Sequence, residues 1–352
     1  MNKTLADQPL RIAITADPEL PVPPELYGGI ERMIDGLVRE LVSRGHSVTL
    51  FAHPASKSPC TLVGWPGATS SSFRDTMANM AVLAKGVASG SFDLLHSFSR
   101  LAYLGPLLPW PIPKLMTYQR PVTRRTVQLS HALSRGTLKF SAISAWMQAP
   151  VADIGRWHVV PNGVDLSIFP FVADPGPEAP LVFLGRLEEI KGPHLAIEAA
   201  KRSGLPLVLA GNVATEHQRW VEEHVLAQLD PPHIRYVGPA NDIQKAALLG
   251  SSRALLMPIL WDEPFGIVMA EAMACGTPVL GLNRGAVPEV VEHGVTGFVA
   301  NSLPELIAQL PGLANLDRAA SRRNVERLYS SGAMADGYLR VYQSMLKKSN
   351  KF

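Results

Sequence analysis

Short, uninterrupted apolar runs alternate along this chain with longer stretches in which apolar residues recur every three or four positions. The first run, LRIAITA (10–16), reads as a buried strand, and a proline-rich loop, DPELPVPPELYGG, follows it. Next, Ile30, Met33, Ile34, Leu37, Val38, Leu41 and Val42 fall on one stripe, the spacing of an amphipathic helix that Gly45 stops. The strand SVTLFA completes a β-α-β unit, the building block of a parallel, doubly wound sheet. FDLLHSF, PKLMTY, FSAIS and HVVPN read as further strands. FVADPGPEAP (171–180) is a composition break of linker type. A second alternation begins at once, with LVFLG, LPLVLAG, IRYVG, ALLMPI and TPVLG separated by helical stretches. The tail AMADGYLRVYQSMLKK reads as a separate helix with a basic end. The pattern predicts an α/β chain of two Rossmann-like, doubly wound parallel-sheet domains facing a central cleft, the expected ligand site. The expected divisions are 1–160, 161–335 and a closing helix over 336–352.

Composition narrows the function without naming it. A length of 352 residues suits two domains, and a net charge of +3 is too small to argue for nucleic acid as a partner. Cys60 and Cys275 have no paired spacing, which fits a reducing compartment and speaks against a zinc site or a disulfide framework. The start, MNKTLADQPLR, lacks the apolar core of a signal peptide. The most lipid-like run, LAYLGPLLPWPIPKLM, is broken by Pro106, Pro109, Pro111 and Pro113 and is too interrupted to span a bilayer. A cytoplasmic protein is expected.

The chemistry concentrates in WDEPFGIVMAEAMACGTPVLG (261–281). Pro264 suits the first turn of a helix and Gly276 its end, so a helix over Phe265–Cys275 is predicted. Glu271 is then alone in a helix that is apolar nearly all round, where a carboxylate is costly unless paired. Glu263 stands in the loop before it, ~10 Å away along the axis. Between them lie the free N–H groups of the first turn around Gly266, a place that favours an anion. A carboxylate for ribose hydroxyls, amides for a diphosphate and a second carboxylate for sugar hydroxyls would together fit a nucleotide-sugar. The alternative is that Glu271 forms a salt bridge inside the domain and Glu263 is a solvated loop residue.

FLGRLEEIKG (183–192) places Arg186 and Lys191 at the carboxyl end of a strand, where open α/β sheets bind ligands. Two cations there could stabilise a departing diphosphate; the plain alternative is an ordinary surface turn. Gly28 and Gly29 open the first helix and would let amides approach a phosphate, though a simple turn also accounts for them. His96 ends a strand and could face the same site or be a satisfied structural residue. Arg120, Arg124, Arg125, Arg135 and Lys139 alternate with apolar residues, a face for an anionic acceptor or a lipid surface, or merely a solvated helix. No D-x-D, G-x-G, H-E-x-x-H, Walker A or G-x-S-x-G pattern occurs. Charge stabilisation therefore falls to Arg186, Lys191 and helix ends rather than to a metal.

Taken in order, these segments resemble a family. EPFGIVMAE (263–271) resembles the E-x7-E element of retaining glycosyltransferases of GT-B fold, family 4, and GRLEEIKG resembles that family's G-R-x4-K-G turn. VVPNGVDLSIF, YGGIER with RGHSVTLFA, and GAVPEVVEHGVTGFV are similar to further segments of it. The resemblance implies transfer of a hexose from a UDP- or GDP-sugar to a hydroxyl acceptor, with retention and without metal or other cofactor. It implies a place in glycan, glycolipid or polysaccharide biosynthesis. The donor would lie mainly on the C-terminal domain and the acceptor on the N-terminal one. Glu263, Arg186, Lys191 and His96 would be the catalytic set. Glu271 would hold the ribose, with backbone at Asn212, Tyr236 and Val237 around the base. Gly28, Gly29, Phe265, Gly266, Ile267 and Val268 would present amides to the donor. Tyr118, Arg120 and Arg124 would face the acceptor, which would be a sugar, a lipid-linked molecule or a small molecule. Peripheral contact at the inner membrane face is compatible with this reading; nucleic acid is not a partner. The chain departs from the family at His96-Ser97-Phe98, where many members carry a second histidine, and at TYQR in place of T-x-H. A nucleotide-sugar 2-epimerase of the same fold, or a non-catalytic nucleotide-sugar-binding subunit, are the competing readings.

Overall fold

The structure is a computed structural model that describes residues 8–25 and 28–349, with side chains through Lys347. The leader reading of the first residues, Tyr27 of the YGG segment and Lys348 of the basic tail lie outside what is described. Two units are present: one runs to Gly163 and resumes at Ser331, and Val164–Ser330 forms the other.

The first unit runs β1 (Arg11–Thr15), α1 (Gly29–Ser43), β2 (Ser47–Ala52), β3 (Thr61–Gly64), α2 (Phe73–Ser89), β4 (Leu94–Ser97), β5 (Lys114–Tyr118), α3 (Arg124–Leu133), β6 (Leu138–Ala142), α4 (Ala145–Gln148) and β7 (Trp157–Val159). The second runs β8 (Leu181–Leu184), α5 (Pro193–Ser203), β9 (Leu207–Ala210), α6 (Gln218–His224), β10 (Ile234–Tyr236), α7 (Asp242–Gly250), β11 (Ala254–Met257), α8 (Ile267–Ala274), β12 (Val279–Leu282), α9 (Val287–Val290), β13 (Gly297–Ala300), α10 (Leu303–Ala308) and α11 (Arg318–Leu328). A last helix, α12 (Ser331–Ser349), belongs to the first unit.

Strand order is β3-β2-β1-β4-β5-β6-β7 in one sheet and β10-β9-β8-β11-β12-β13 in the other, and the paired strands run parallel. In each sheet the first strand is central and the order reverses beside it, the doubly wound arrangement. Strands covered on both faces should be apolar throughout, and β8, β9, β11 and β12 are buried at every position. Met33, Ile34, Leu37, Val38 and Leu41 of α1 pack into one core with Ile12, Ile14 and Leu50, and α12 adds Met334, Tyr338 and Tyr342 to it.

Three differences from the sequence pattern have physical causes. β3 is a half-exposed strand at the sheet's edge, so its four residues carry no buried run. α2 exposes Phe73 and Met77 near its start, which blurs its apolar stripe. The 171–180 segment is not a linker but a loop inside the second unit: Val172 donates to the Cys275 carbonyl (3.0 Å) and accepts from Arg318 Nε (2.8 Å).

Candidate active site

β8 and β11 are adjacent at the centre of the second sheet, so the loops leaving their carboxyl ends emerge side by side. In the first loop Gly185 donates to Ala210 O (3.1 Å) and Leu187 to Asn212 O (2.9 Å), and Leu187 is buried. Arg186, fixed between them, stays partly exposed, with Nη2 at 2.8 Å from Glu188 Oε1. A 3₁₀ turn over Glu189–Lys191 ends at Gly192, whose φ of 75° and contact with the Pro258 carbonyl leave no room for a Cβ. Lys191 Nζ donates to Glu263 Oε2 (2.7 Å) and lies 4.4 Å from the centre of the Trp261 ring. Trp261 Nε1 also donates to Glu263 Oε2 (3.1 Å). Gly285 presses on the backbone of Asp262 and Glu263, and Ala286 donates to Glu263 O (2.8 Å). Glu263 is thus buried and held from three sides, which corrects the solvated-loop alternative.

Helix α8 begins at Ile267, two residues later than the sequence predicts. Gly266 is left-handed (φ 74°), so Pro264 and Phe265 lie outside the helix. Phe265 is buried with its ring edge-on to Tyr329 (5.7 Å between ring centres), so its side chain belongs to the core of the second unit. Ile267 and Val268, half-exposed in the first turn, present amides with no carbonyl one turn back. Glu271 is buried four residues further on, with Oε1 at 2.6 Å from Lys245 Nζ of α7. The intradomain salt bridge therefore exists. Lys245 is itself shared with Asp242 (3.3 Å) and lies 5.4 Å from the Phe169 ring centre.

Around this loop pair, Asn212 follows β9 and Tyr236 ends β10, its hydroxyl donating to Gly211 O (2.7 Å). Val237 is exposed next to it. The structure brings Arg186, Lys191 and Glu263 to the β8/β11 switch point, with α8 and Glu271 following in the same unit. Gly28 and Gly29 are in the first unit, where they open α1 as expected; Gly28 has a φ of 150° and abuts Pro24 and the Glu31 carboxylate.

His96 is corrected. It is fully buried: Nδ1 is 2.6 Å from Tyr342 Oη, Nε2 is 2.7 Å from Thr117 Oγ1, and Phe98 and Tyr338 pack on the ring. Burial holds its pKa well below the usual imidazole range. With both nitrogens engaged it is a core residue tying β4 and β5 to α12, not a catalytic group. Arg124 is likewise occupied, by two 2.7 Å contacts with Asp153 and one with Pro150 O. Tyr118 is half-buried, stacked on Trp157 (5.9 Å), and burial raises its pKa. Arg120 is exposed, and its charge reaches Asp17 and Glu31. Burial pushes the Asp17 carboxyl up to about 6 against the Arg100 amide bonded to it (3.1 Å) and the Arg120 charge.

The sequence reading missed Lys245, Trp261, Glu188, His217 and the Asp17–Glu31 pair. Trp261 and Glu188 stand inside quoted motifs; Lys245 is 26 positions from its partner and has no local sign. Among the described residues no group of three His, Cys, Asp or Glu could hold a metal ion, and no helix is long and apolar enough to cross a membrane.

Residues 168–310 match the family Glycosyl transferases group 1, and residues 27–168 match Glycosyltransferase Family 4. The chain is 28% identical to a putative glycosyltransferase, YtcC, of Bacillus subtilis, over 97% of this chain and 94% of that protein. It is 25% identical to a phosphatidyl-myo-inositol mannosyltransferase of Mycobacterium tuberculosis, over 91% and 94%. Sucrose-phosphate synthase from Thermosynechococcus elongatus superposes with a TM-score of 0.79 at 20% identity, over 96% of this chain and 100% of that one. Anabaena HepE, solved with UDP and glucose, gives 0.72 at 19% identity, over 95% and 100%. The two parallel sheets are those of a GT-B glycosyltransferase. The chain belongs to the group 1 glycosyltransferases of family 4, and it is an enzyme of the hexosyltransferase kind.

Proposed function

We propose that this glycosyltransferase moves a hexose from a UDP- or GDP-sugar to a hydroxyl acceptor, retaining anomeric configuration and needing no metal. The observation that carries the reading is the β8/β11 switch point, where Arg186 and Lys191 stand at the carboxyl end of β8 and Lys191 touches the buried Glu263. On this reading Arg186, Lys191 and the amides of Ile267 and Val268 hold the diphosphate, Glu263 faces the donor sugar and Glu271 takes the ribose hydroxyls. The base lies against backbone at Asn212, Tyr236 and Val237. The acceptor oxygen forms its bond to the anomeric carbon on the face from which the diphosphate leaves. The electron pair of the broken C–O bond passes to the diphosphate, whose oxygen takes the acceptor's proton. Arg186 and Lys191 neutralise the charge that develops there, the work a divalent ion does elsewhere.

UDP with glucose in HepE, and ADP with acarbose in an Arabidopsis starch synthase, support a nucleoside-diphosphate donor. The mannosyltransferase among the relatives supports a sugar or lipid-linked acceptor and a role in glycan, glycolipid or polysaccharide biosynthesis. The first unit would take that acceptor. Its α3 exposes Arg125, Leu129 and Leu133, a face suited to an anionic or lipid-linked molecule at the cytoplasmic membrane surface.

Thermal unfolding with UDP, GDP and ADP, each with EDTA or magnesium, tests this. A ligand at ~100 times its Kd adds roughly 2.7 kcal/mol, a shift of several degrees. One nucleotide should shift the transition equally with and without EDTA. Its sugar conjugate should then give a product whose anomeric proton coupling matches the donor's. A flat panel would sink the donor site; a shift abolished by EDTA would sink metal independence. Conversion of the donor at C2 without acceptor would favour the epimerase.

A further inference from the structure

We propose that Glu188 is a positioning residue that aims the Arg186 guanidinium at the donor's diphosphate, and that His217 steadies Glu188 in turn. The inference rests on the donor-site reading above. Glu188 and Glu189 are neighbours in one loop with opposite fates: Glu189 is exposed, whereas Glu188 is 4% exposed. A carboxylate is rarely buried in a loop without a partner. Glu188 has two, one on each oxygen: Oε1 is 2.8 Å from Arg186 Nη2, and Oε2 is 3.2 Å from His217 Nε2. Its backbone places the other cation of the loop, since Lys191 N donates to Glu188 O (3.1 Å).

The contact with Arg186 is an ion pair without a linear hydrogen bond, because Oε1 accepts none. The guanidinium is therefore restrained by charge while its N–H groups remain directed elsewhere, and it is still 41% exposed. An arginine that must be ordered on binding loses rotamer freedom; one already restrained loses less.

His217 extends the restraint to a second loop. It ends a 3₁₀ turn, Thr215–His217, on the β9–α6 connection, which also carries Asn212. That connection meets the β8–α5 loop at three places: a Cβ on Gly211 would collide with the Gly185 carbonyl, Leu187 donates to Asn212 O, and His217 faces Glu188. The loop expected to meet the base and the cation expected to meet the phosphates are thus parts of one locked assembly. Donor affinity should depend on Glu188 through the β-phosphate and not through the base.

Two effects of Glu188 oppose each other. It orients Arg186, and it also cancels part of the positive charge that attracts a diphosphate. Positioning predicts that Glu188→Ala weakens binding, whereas charge cancellation predicts that it tightens it. Glu188→Gln keeps the shape and an acceptor oxygen while removing the charge.

The experiment measures calorimetric Kd values for UDP, GDP and ADP, with the matching monophosphates, on wild type, E188A, E188Q and H217A. For the diphosphate that binds wild type, E188A should lose roughly tenfold, with the monophosphate unchanged. E188Q should recover most of the loss. H217A should lose about threefold and nothing further when combined with E188A. Arg186 and His217 both reach solvent, so E188A strands no buried charge, and its melting point without ligand checks the fold. Should E188A not fold, H217A, partly exposed, carries the same test. Unchanged or tighter diphosphate binding by a folded E188A, or an equal loss for the monophosphate, overturns the positioning role alone. Failure of all three diphosphates to bind wild type overturns the donor-site reading and this inference with it.

Discussion

Lys114, the first residue of β5, is fully buried, and its ammonium donates to the carbonyls of Trp110 (2.8 Å) and Ile112 (2.9 Å). Burial pushes its pKa down to about 8. The unfolded chain, with a lysine near ~10.4, binds this proton more tightly than the folded chain does. The penalty is therefore full below pH 8 and is relieved as pH rises through the window between the two values. Relative to Lys114→Met, wild type should gain about 2 kcal/mol between pH 7.5 and pH 10. Urea unfolding of both proteins at the two pH values measures it, and a pH-independent difference would show that the lysine titrates normally. Nothing in PIPKLMTY marks this lysine as buried. Glu271 differs because its helix is apolar on every side, so the oddity of the carboxylate could be read directly. Its partner could not: Lys245 lies 26 residues away, and Lys191 lies 72 from Glu263. Long-range pairing leaves no local trace: Lys245 was not read at all, and Lys191 and Glu263 were each read without the contact between them.

At the scale of elements, α1 and the central strands were readable because burial on one stripe, or on both faces, dictates the apolar pattern. β3 and α2 were not, since an edge strand and a helix with exposed apolar residues need not obey it. The start of α8 shows the limit of boundary rules. Pro264 suits a first turn, but the left-handed Gly266 after it sets the helix start later, and no propensity announces that conformation. Glycines divide in the same way. Gly211 (φ 150°) has the Gly185 carbonyl where a Cβ would go, while Gly204 (φ 69°), at the end of α5, has open space there. Gly204→Ala should cost about 1 kcal/mol, the strain of a left-handed alanine. Gly211→Ala should cost about 3 kcal/mol or more, because the β8–α5 loop must move. It should also weaken diphosphate binding, which Gly204→Ala should leave alone. Paired denaturation and binding curves decide this, and equal costs at the two positions would mean that the loops are not locked together.

For the molecule as a whole, chain order and folding unit do not coincide. After α11 ends at Leu328, the chain leaves the second unit and completes the first with α12. Met334, Ala335, Tyr338, Val341, Tyr342 and Met345 of that helix lie in the core formed with Ile12, Leu50, Leu94 and α1. Tyr342 also satisfies one nitrogen of the buried His96. A chain ending at Ser330 would expose this core and leave His96 with an unmet ring nitrogen. The cut leaves the core of the second unit whole, because the cluster around Leu181, Leu207, Leu256 and Leu280 is drawn from 164–330 alone. The truncated chain should therefore show native hydrogen-exchange protection across β8–β13 and none across β1–β7. Removing six largely buried side chains, most of them worth about 1.5–3 kcal/mol, costs as much as the usual stability of a whole domain. Protection of β1–β7 in the truncated chain would mean that α12 covers a core already stable without it. Loss of protection in both sheets would mean that the second unit needs the first to fold. Selective loss would identify the sequence-distant α12 as the element that makes the first unit a stable domain.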